Sequence, residues 1–405
     1  MINRLFKIFS SLRLTVILLG LALLLVVIGT LAQVKLGLYV AQSEYFRSLF
    51  VFWQPKGANW KLPVFPGGWL LGGLLLINLI TAHVKRFQFT KRKIGIFTIH
   101  AGLILLLLGQ FTTELFQVES NIRFEEGETR NYSEDSRRTE LTFIDPSHPD
   151  HDEVIAVPEE LLAKGGEIRS PKLPFVIRVK SYFQNSRPAG PMSGDGKKIN
   201  ATTPAGEKVW FSEAPLVATM DAKNVPSFLL EIVSNKNVST ERIASLWIDA
   251  PQPIEVDGHT YQMGLRPTRY YLPFYVTLLE FRHDLYQGTP TPKNFSSKVH
   301  LLDPKHGEDR NVLIKMNDPL RYAGLTFFQA GFDERNDKVT ILQVVRNPAA
   351  ITPYLACSLV GLGLLIQFLT HLVGFGRRQK NQIPTAPKKS ARRKSMSVVE
   401  EKEPA

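Results

Sequence analysis

The sequence predicts a membrane protein of four transmembrane α-helices that carry a large extracytoplasmic, mainly antiparallel β domain. Three observations predict it. Four apolar stretches, at 14–33, about 65–84, 94–115 and about 350–375, each come near the twenty or so residues that cross a bilayer as a helix. Lys and Arg gather at alternate ends of these stretches. Between the third and the fourth, residues 116–349 switch to short β-branched or alternating runs broken by Pro, Gly, Asn and Asp.

In chain order, residues 1–13 form a short basic start with Arg4, Lys7 and Arg13, and the first span, 14–33, carries no charge. A cleaved signal peptide has similar ingredients, with Gly29-Thr30-Leu31-Ala32 as its small-residue site, but an apolar run this long reads as an uncleaved anchor. Loop 34–64 crowds Tyr39, Tyr45, Phe46, Phe50, Phe52, Trp53 and Trp60. Such rings favour the headgroup level, where 44–53 reads as a short helix lying on the outer surface; an aromatic belt or a groove for a flat apolar ligand fits the same rings. The second span, 65–84, is Gly-rich and ends at the basic loop 85–93, with Lys85, Arg86, Lys91, Arg92 and Lys93. The third span is 94–115. The fourth, 350–375, leads into the tail 376–405, where Arg377, Arg378, Lys380, Lys388, Lys389, Arg392, Arg393 and Lys394 cluster.

Because Lys and Arg mark the cytoplasmic side, both termini and the 85–93 loop are expected inside, with 34–64 and 116–349 outside. The net charge of +12 sits largely in these flanks and reads as a topology anchor or a contact with anionic membrane lipid. No nucleic-acid module accompanies it. The single cysteine, Cys357, excludes a C-x-x-C pair, a thiolate metal cluster and an internal disulfide framework, and reads as packing within the fourth span.

Within 116–349, runs at 175–179, 228–233, 275–281, 312–316 and 339–345 read as strands, and 185–207, rich in Pro, Gly, Ser and Lys, as a mobile surface loop. A weak internal repeat is visible. Pro253-Ile254 is followed by Gly258, Thr260, Gln262 and Gly264, and Pro319-Leu320 by Gly324, Thr326, Gln329 and Gly331. Two β-hairpins with Gly at the turn explain it, the extra residue before Gln329 forming a bulge; chance similarity is the alternative.

His100 is the most informative residue. It lies in IGIFTIHAGLILLLLGQF, seven residues past Lys93. At about 1.5 Å per helical residue that is roughly 10 Å inside an apolar layer about 30 Å thick. An ionisable side chain at such depth points to function; ligand, proton relay and a hydrogen bond to a neighbouring helix are the roles open to it. The outer histidines, His148, His151, His259, His283, His300 and His306, are scattered and receive no role. Glu125, Glu126 and Glu128 read as a solvated turn, or as a site for a cation or basic peptide. No catalytic triad, paired-carboxylate site or phosphate loop stands out.

Several stretches together resemble the ResB-type cytochrome c biogenesis proteins, also called CcsB, of the System II haem-attachment pathway. They are Ser11-Leu12-Arg13-Leu14, Ile28-Gly29-Thr30-Leu31-Ala32-Gln33, the IHAGLILLLLG around His100, Glu126-Gly127-Glu128 and Leu173-Pro174-Phe175. Most specific is the run from Met316 to Gln329, MNDPLRYAGLTFFQ, against the family's N-x-P-L-x-Y-x-G-x-T-F-Y-Q. Phe328 stands where that pattern has Tyr.

The resemblance implies a subunit of a bacterial inner-membrane complex that takes haem b outward as a transiently bound cargo and delivers it to the CxxCH of apocytochrome c. It implies a ResC/CcsA-type partner bearing a tryptophan-rich haem-handling motif. Here Trp53, Trp60, Trp69, Trp210 and Trp247 are scattered, so the catalytic half is expected on that partner and this chain is expected to be an accessory subunit. His100 takes the implied role of axial ligand to haem iron. Two imidazoles on one iron lie roughly 4 Å apart. His83, about 10 Å shallower by residue count, is therefore expected to be a poor mate, whereas His371, six residues before Arg377, has a similar expected depth and is the alternative ligand. The resemblance places the second ligand on the partner. Two other readings compete: a haem-free scaffold or apocytochrome chaperone that braces the partner, and an outer sensory domain with His100 as a proton switch.

Overall fold

In the computed structural model the described residues are 2–382 without 56–59, 86–89, 91–92, 193–195, 205, 218, 220–221, 235, 237, 289–291 and 334. They form helices α1 (Ile2–Phe9), α2 (Leu12–Leu36), α3 (Leu38–Ala41), α4 (Gly68–Lys85), α5 (Ile94–Phe116), α6 (Glu159–Leu162) and α7 (Thr352–Gln382). Four of these, α2, α4, α5 and α7, are long and apolar enough to cross a membrane, and a large antiparallel β domain accompanies them. This is the expected class, a membrane protein. Arg86, Lys91, Arg92 and the tail lysines and arginines from Lys388 onward lie outside the described residues.

The α1–α2 junction explains a buried asparagine in an otherwise apolar helix. Ser11 is extended, so the helix breaks there and leaves the Phe9 carbonyl without a helical partner, while the Ser11 carbonyl accepts from the Thr15 N–H at 3.3 Å. Asn78 of α4, 1% exposed, donates to the Phe9 carbonyl at 2.6 Å and the Ser11 carbonyl at 3.2 Å, and accepts from Thr15 Oγ1 at 2.6 Å. Thr81 also donates to the Phe9 carbonyl, at 2.8 Å. In hydrocarbon, orphaned carbonyls would cost several kcal/mol each.

α5 and α7 run antiparallel with their backbones touching. Gly95, Gly102 and Gly109 recur every seven residues on one face of α5 and meet Gly363 and Gln367, Ala356 and Val360, and Thr352 of α7. Between helices in lipid there is no hydrophobic drive, so close approach at small residues supplies the attraction. α4 and α5 meet through large rings instead: Trp69 lies 5.6 Å from Phe111 and His83 lies 4.9 Å from Phe97.

The loop after α2 departs from expectation. Residues 44–53 do not make one surface helix. α3 continues into a π-helical turn, Gln42–Phe46, and then Phe50–Trp53 pairs antiparallel with Leu62–Pro66. Aromatic and β-branched residues in both segments favour the ladder, and Val51 buries against Leu18, Leu25 and Leu71. The strand takes the first residues assigned to the second span, so α4 starts only at Gly68. Arg47 pairs with Glu114 at 2.6 Å, and the Arg137 guanidinium lies 3.8 Å from the Tyr39 ring, tying this loop to α5 and to the β domain.

Two long strands, Thr129–Asp145 and His259–Leu285, run antiparallel through the β domain and serve two cores. Their pairing shifts register between Pro267 and Arg269 and again between Tyr271 and Val276, beside Pro267 and Pro273, which lack the N–H a ladder needs. On one side of the break Leu141, Phe143, Tyr261 and Met263 pack against Phe175, Ile177, Phe228 and Leu230 of a four-stranded sheet. On the other, Phe274, Val276 and Leu278 pack with Ile122, Val299, Phe327 and Leu342 inside the curled ten-stranded sheet. Its ends approach each other where Lys315 and Asp318 exchange backbone hydrogen bonds at 3.1 and 3.2 Å.

Residues 185–207 are not simply a loop. They supply the strands Ser186–Ala189 and Lys198–Thr202, which flank Lys208–Glu213 in a small sheet. Ile199 and Ala201 turn inward against Phe183, Phe211 and Ile243, a two-residue alternation too short to outweigh the surrounding Pro, Gly and Ser in composition. The repeat is two hairpins. Asp257-Gly258 and Ala323-Gly324 both hold positive φ (51° and 89°, 49° and 76°) between Val256↔His259 and Tyr322↔Leu325, the backbone of a type I′ turn. The second strand of the second hairpin is bulged between Gln329 and Gly331, just after the glutamine rather than before it, in its pairing with the next strand, Asn336–Arg346.

Candidate functional site: two histidines on neighbouring apolar helices

Phe97 and His100, three residues apart, share the face of α5 that looks at α4, opposite the glycine stripe. Facing them is His83, two residues before the end of α4. Its ring centre lies 5.9 Å from that of His100, with the planes at 70°, and meets Phe97 nearly edge-on at 89°. Both histidines are half-buried, so the pair has an open side.

The residue count that separated them by 10 Å was misleading for two reasons. His83 is level with Phe97, one helical turn from His100, because α5 begins slightly beyond the point where α4 ends. The Cα–Cβ bond of every helical residue also tilts toward the helix N-terminus. Since α4 and α5 run in opposite directions, His83 leans toward the β domain and His100 leans away from it, and the rings converge. His83 is the functional candidate that residue counting missed; side-chain direction on antiparallel helices was the signal that could have found it.

His371 goes elsewhere. α7 crosses α5 with Gly363 beside Ile99 and Gln367 beside Gly95, so His371 lies beyond the first turn of α5, roughly 15 Å along the axis from His100 at about 1.5 Å per residue. Gln367 Nε2 donates to its Nε2 at 2.7 Å. Arg377 does not mark the end of the helix, because α7 runs on to Gln382 and overshoots the end of α5. Cys357, expected to pack, is exposed on the outward side of α7, because Ala356 and Val360 face α5.

Among the described residues no group of three or more His, Cys, Asp or Glu is arranged to hold a metal ion. The three glutamates near 125–128 are engaged internally. Glu126 accepts the Phe281 N–H at 2.8 Å, Glu128 accepts the Glu125 N–H and pairs with Arg130 at 3.1 Å, and Glu125 accepts from Asn336. The backbone hydrogen bond from Glu125 is the largest influence on the Glu128 carboxyl, holding it below its ordinary value.

The 316–329 motif is built into the fold. Leu320 and Phe327 are core, Ala323-Gly324 is the turn, and Gln329 accepts from Ser297 at 2.6 Å while donating to Thr340 at 2.9 Å. Tyr322 donates to Asp303 at 2.8 Å; Asp303, 1% exposed, also contacts His306 Nδ1 at 2.8 Å. Burial, then the bond to Asp303, pushes the Tyr322 hydroxyl up to about 12. For Asp303, burial acts upward, but the hydrogen bonds from His306 and Tyr322 outweigh it and hold the carboxyl below its ordinary 3.8. A depressed folded value means that the stabilisation is complete above the unfolded value and is lost as pH falls through the folded one. Thermal unfolding followed against pH is therefore expected to weaken below about pH 4, and less steeply in Asp303→Asn. Identical acid profiles for the two proteins would remove Asp303 as the cause.

Residues 239–341 match the ResB-like family. Protein NrfI of Wolinella succinogenes is 34% identical over 125 residues, which are 31% of this chain and 13% of NrfI, so the match spans a small part of that relative's length. Among solved structures, Cytochrome c Heme Lyase CcmF aligns at 11% identity over 73% of this chain and 30% of its own, with a TM-score of 0.20.

Proposed function

We propose, from the match of residues 239–341 to the ResB-like family, that the chain is the haem-receiving subunit of a bacterial inner-membrane complex that matures c-type cytochromes. The observation that carries this reading is His100: an imidazole on an apolar helix, half-buried, facing a second imidazole at the end of the bundle away from the β domain. Neutral imidazole is a common axial ligand of haem iron. Arg4, Lys7, Arg13, Lys85, Lys93 and Arg377 lie toward that same end, which by the charge rule is cytoplasmic, with both termini inside and the β domain outside. Haem b is then cargo, bound first at His100 and passed outward. A ResC/CcsA-type partner carries out the attachment to apocytochrome c, and this chain acts as an accessory subunit.

A haem-free brace for that partner is the second reading. It draws on the 316–329 motif, whose Tyr322 and Gln329 are occupied in holding the fold. One experiment separates the two. The complex is purified from membranes with wild-type chain or with His100→Ala, and haem is quantified beside the reduced absorption spectrum. Loss of most haem from the variant, with the partner still copurifying, is the expected result. Equal haem and unchanged bands would leave the brace.

A further inference from the structure

We propose that the groove between the 321–326 hairpin turn and the start of α7 binds an anionic phospholipid of the leaflet nearest the β domain, with Arg321 on its phosphate. It stands whatever the histidines bind.

Depth supports it. Thr113 Oγ1 donates to the Asn347 side-chain oxygen at 3.2 Å, and Asn347 Nδ2 donates to Gln117 Oε1 at 3.2 Å, which holds the entrance of α7 level with the last turn of α5. Thr113 is 20 residues past Lys93. At about 1.5 Å per residue that is the roughly 30 Å thickness of an apolar layer, so the groove opens where hydrocarbon gives way to headgroups. Ile351 and Tyr354, both exposed, line it on the membrane side together with Pro348, and Phe328 lines it from the β domain. Tyrosine is at home at that level. The strand register explains which residues face the groove: Arg321 stands opposite Thr326, and Thr326 opposite Val345, so these three share one face of the sheet. Leu320 and Phe327 point the other way, into the core. The groove thus takes up the part of the 316–329 motif that holding the fold leaves unused. Charge then selects the ligand. Arg321 is the charged residue of the lining, and no carboxylate shares the groove with it. It is exposed and makes no ion pair among the described residues, whereas Arg123, Arg266, Arg269 and Arg282 of the same sheet each hold a carboxylate. A guanidinium without a counter-ion at an apolar boundary suits a phosphate, which it can grip through two N–H groups at once. Size excludes a bare anion as the natural occupant. The groove holds about 900 Å³, within the roughly 300–1,000 Å³ of ligand-sized clefts, and its apolar wall has the first part of an acyl chain to cover.

The test uses the full chain in phosphatidylcholine nanodiscs doped with a photo-activatable phosphatidylglycerol, with the labelled peptides located by mass spectrometry. Wild type is expected to take label on residues 345–355. Arg321→Gln is expected to lower that label about fivefold, the scale of one cation at an anionic lipid surface, and Arg321→Lys to retain most of it. Arg169→Gln removes the same charge from an exposed site beside the four-stranded sheet and is expected to leave the label unchanged. A photo-activatable phosphatidylcholine is expected to label the peptide more weakly, and equally in all four proteins. Equal thermal unfolding of the four keeps a folding defect from mimicking the loss. Equal labelling by the two lipids, or no response to Arg321→Gln, overturns the proposal, because apolar contact alone then accounts for the label. Label on the membrane helices but none on 345–355 also overturns it and leaves the groove to a protein partner.

Discussion

Cells whose only copy of this protein carries His100→Ala are expected to lose more than about tenfold of their holocytochrome c, since even the outer partners of a metal ligand are worth about 10–100-fold. The variant chain should still accumulate in the membrane. His100 lies on the α4-facing side of α5, away from the glycines that hold α5 to α7, so shortening it leaves that packing intact. Imidazole in the medium should recover part of the yield by supplying the missing nitrogen. His371→Ala is the matched comparison. Its ring bonds to Gln367 beyond the first turn of α5, and its yield is expected to stay within about twofold of wild type, as for substitutions away from a site. Holocytochrome c is read by haem-stained gel and by spectra of whole membranes. Normal levels in the His100 variant, or an equal loss in both, would show that the depth of a histidine says nothing here about its role.

Gly102→Ala is expected to destabilise the helix bundle measurably. A Cβ at this position would stand 2.7 Å from Val360 Cγ2 and 2.8 Å from the Ala356 carbonyl oxygen, and the second of these is backbone that cannot rotate away. Overpacking of this kind costs about 1–3 kcal/mol. In lipid the effect falls on the close approach that holds the helices together. Gly20 on α2 supplies the contrast, because nothing lies within 4 Å of its Cβ position. Gly20→Ala is therefore expected to be neutral or stabilising by up to about 1 kcal/mol. Thermal unfolding of the two detergent-purified variants, followed by loss of the monodisperse peak, decides the matter. The assignment of Gly102 to the α5–α7 seam fails if both behave alike.

How much could be read in advance depended on the range of the interaction involved. The four apolar helices, the β character of 116–349 and the two Gly-centred hairpins depend on neighbours a few residues away, and all are present. Composition over a window failed where structure was finer than the window. The Ile199 and Ala201 alternation sits inside a Pro- and Gly-rich stretch, and Phe50–Trp53 finds its partner across a turn. His100 stood out by itself because hydrocarbon penalises a polar ring wherever the rest of the protein lies.

The sequence by itself therefore determined which segments enter the membrane, which become strands, and that His100 is out of place unless something uses it. Only the tertiary structure decided what His100 faces. The axial offset between two helices, and the direction in which their side chains lean, are not recorded in residue counts. Antiparallel α4 and α5 bring His83 to 5.9 Å from His100, while the overshoot of α7 carries His371 away. The physical reason is that hydropathy measures how a segment prefers its solvent, a local property, whereas a site is made by the relative placement of backbones, which here is set by glycines on one face of α5 and aromatic rings on the other.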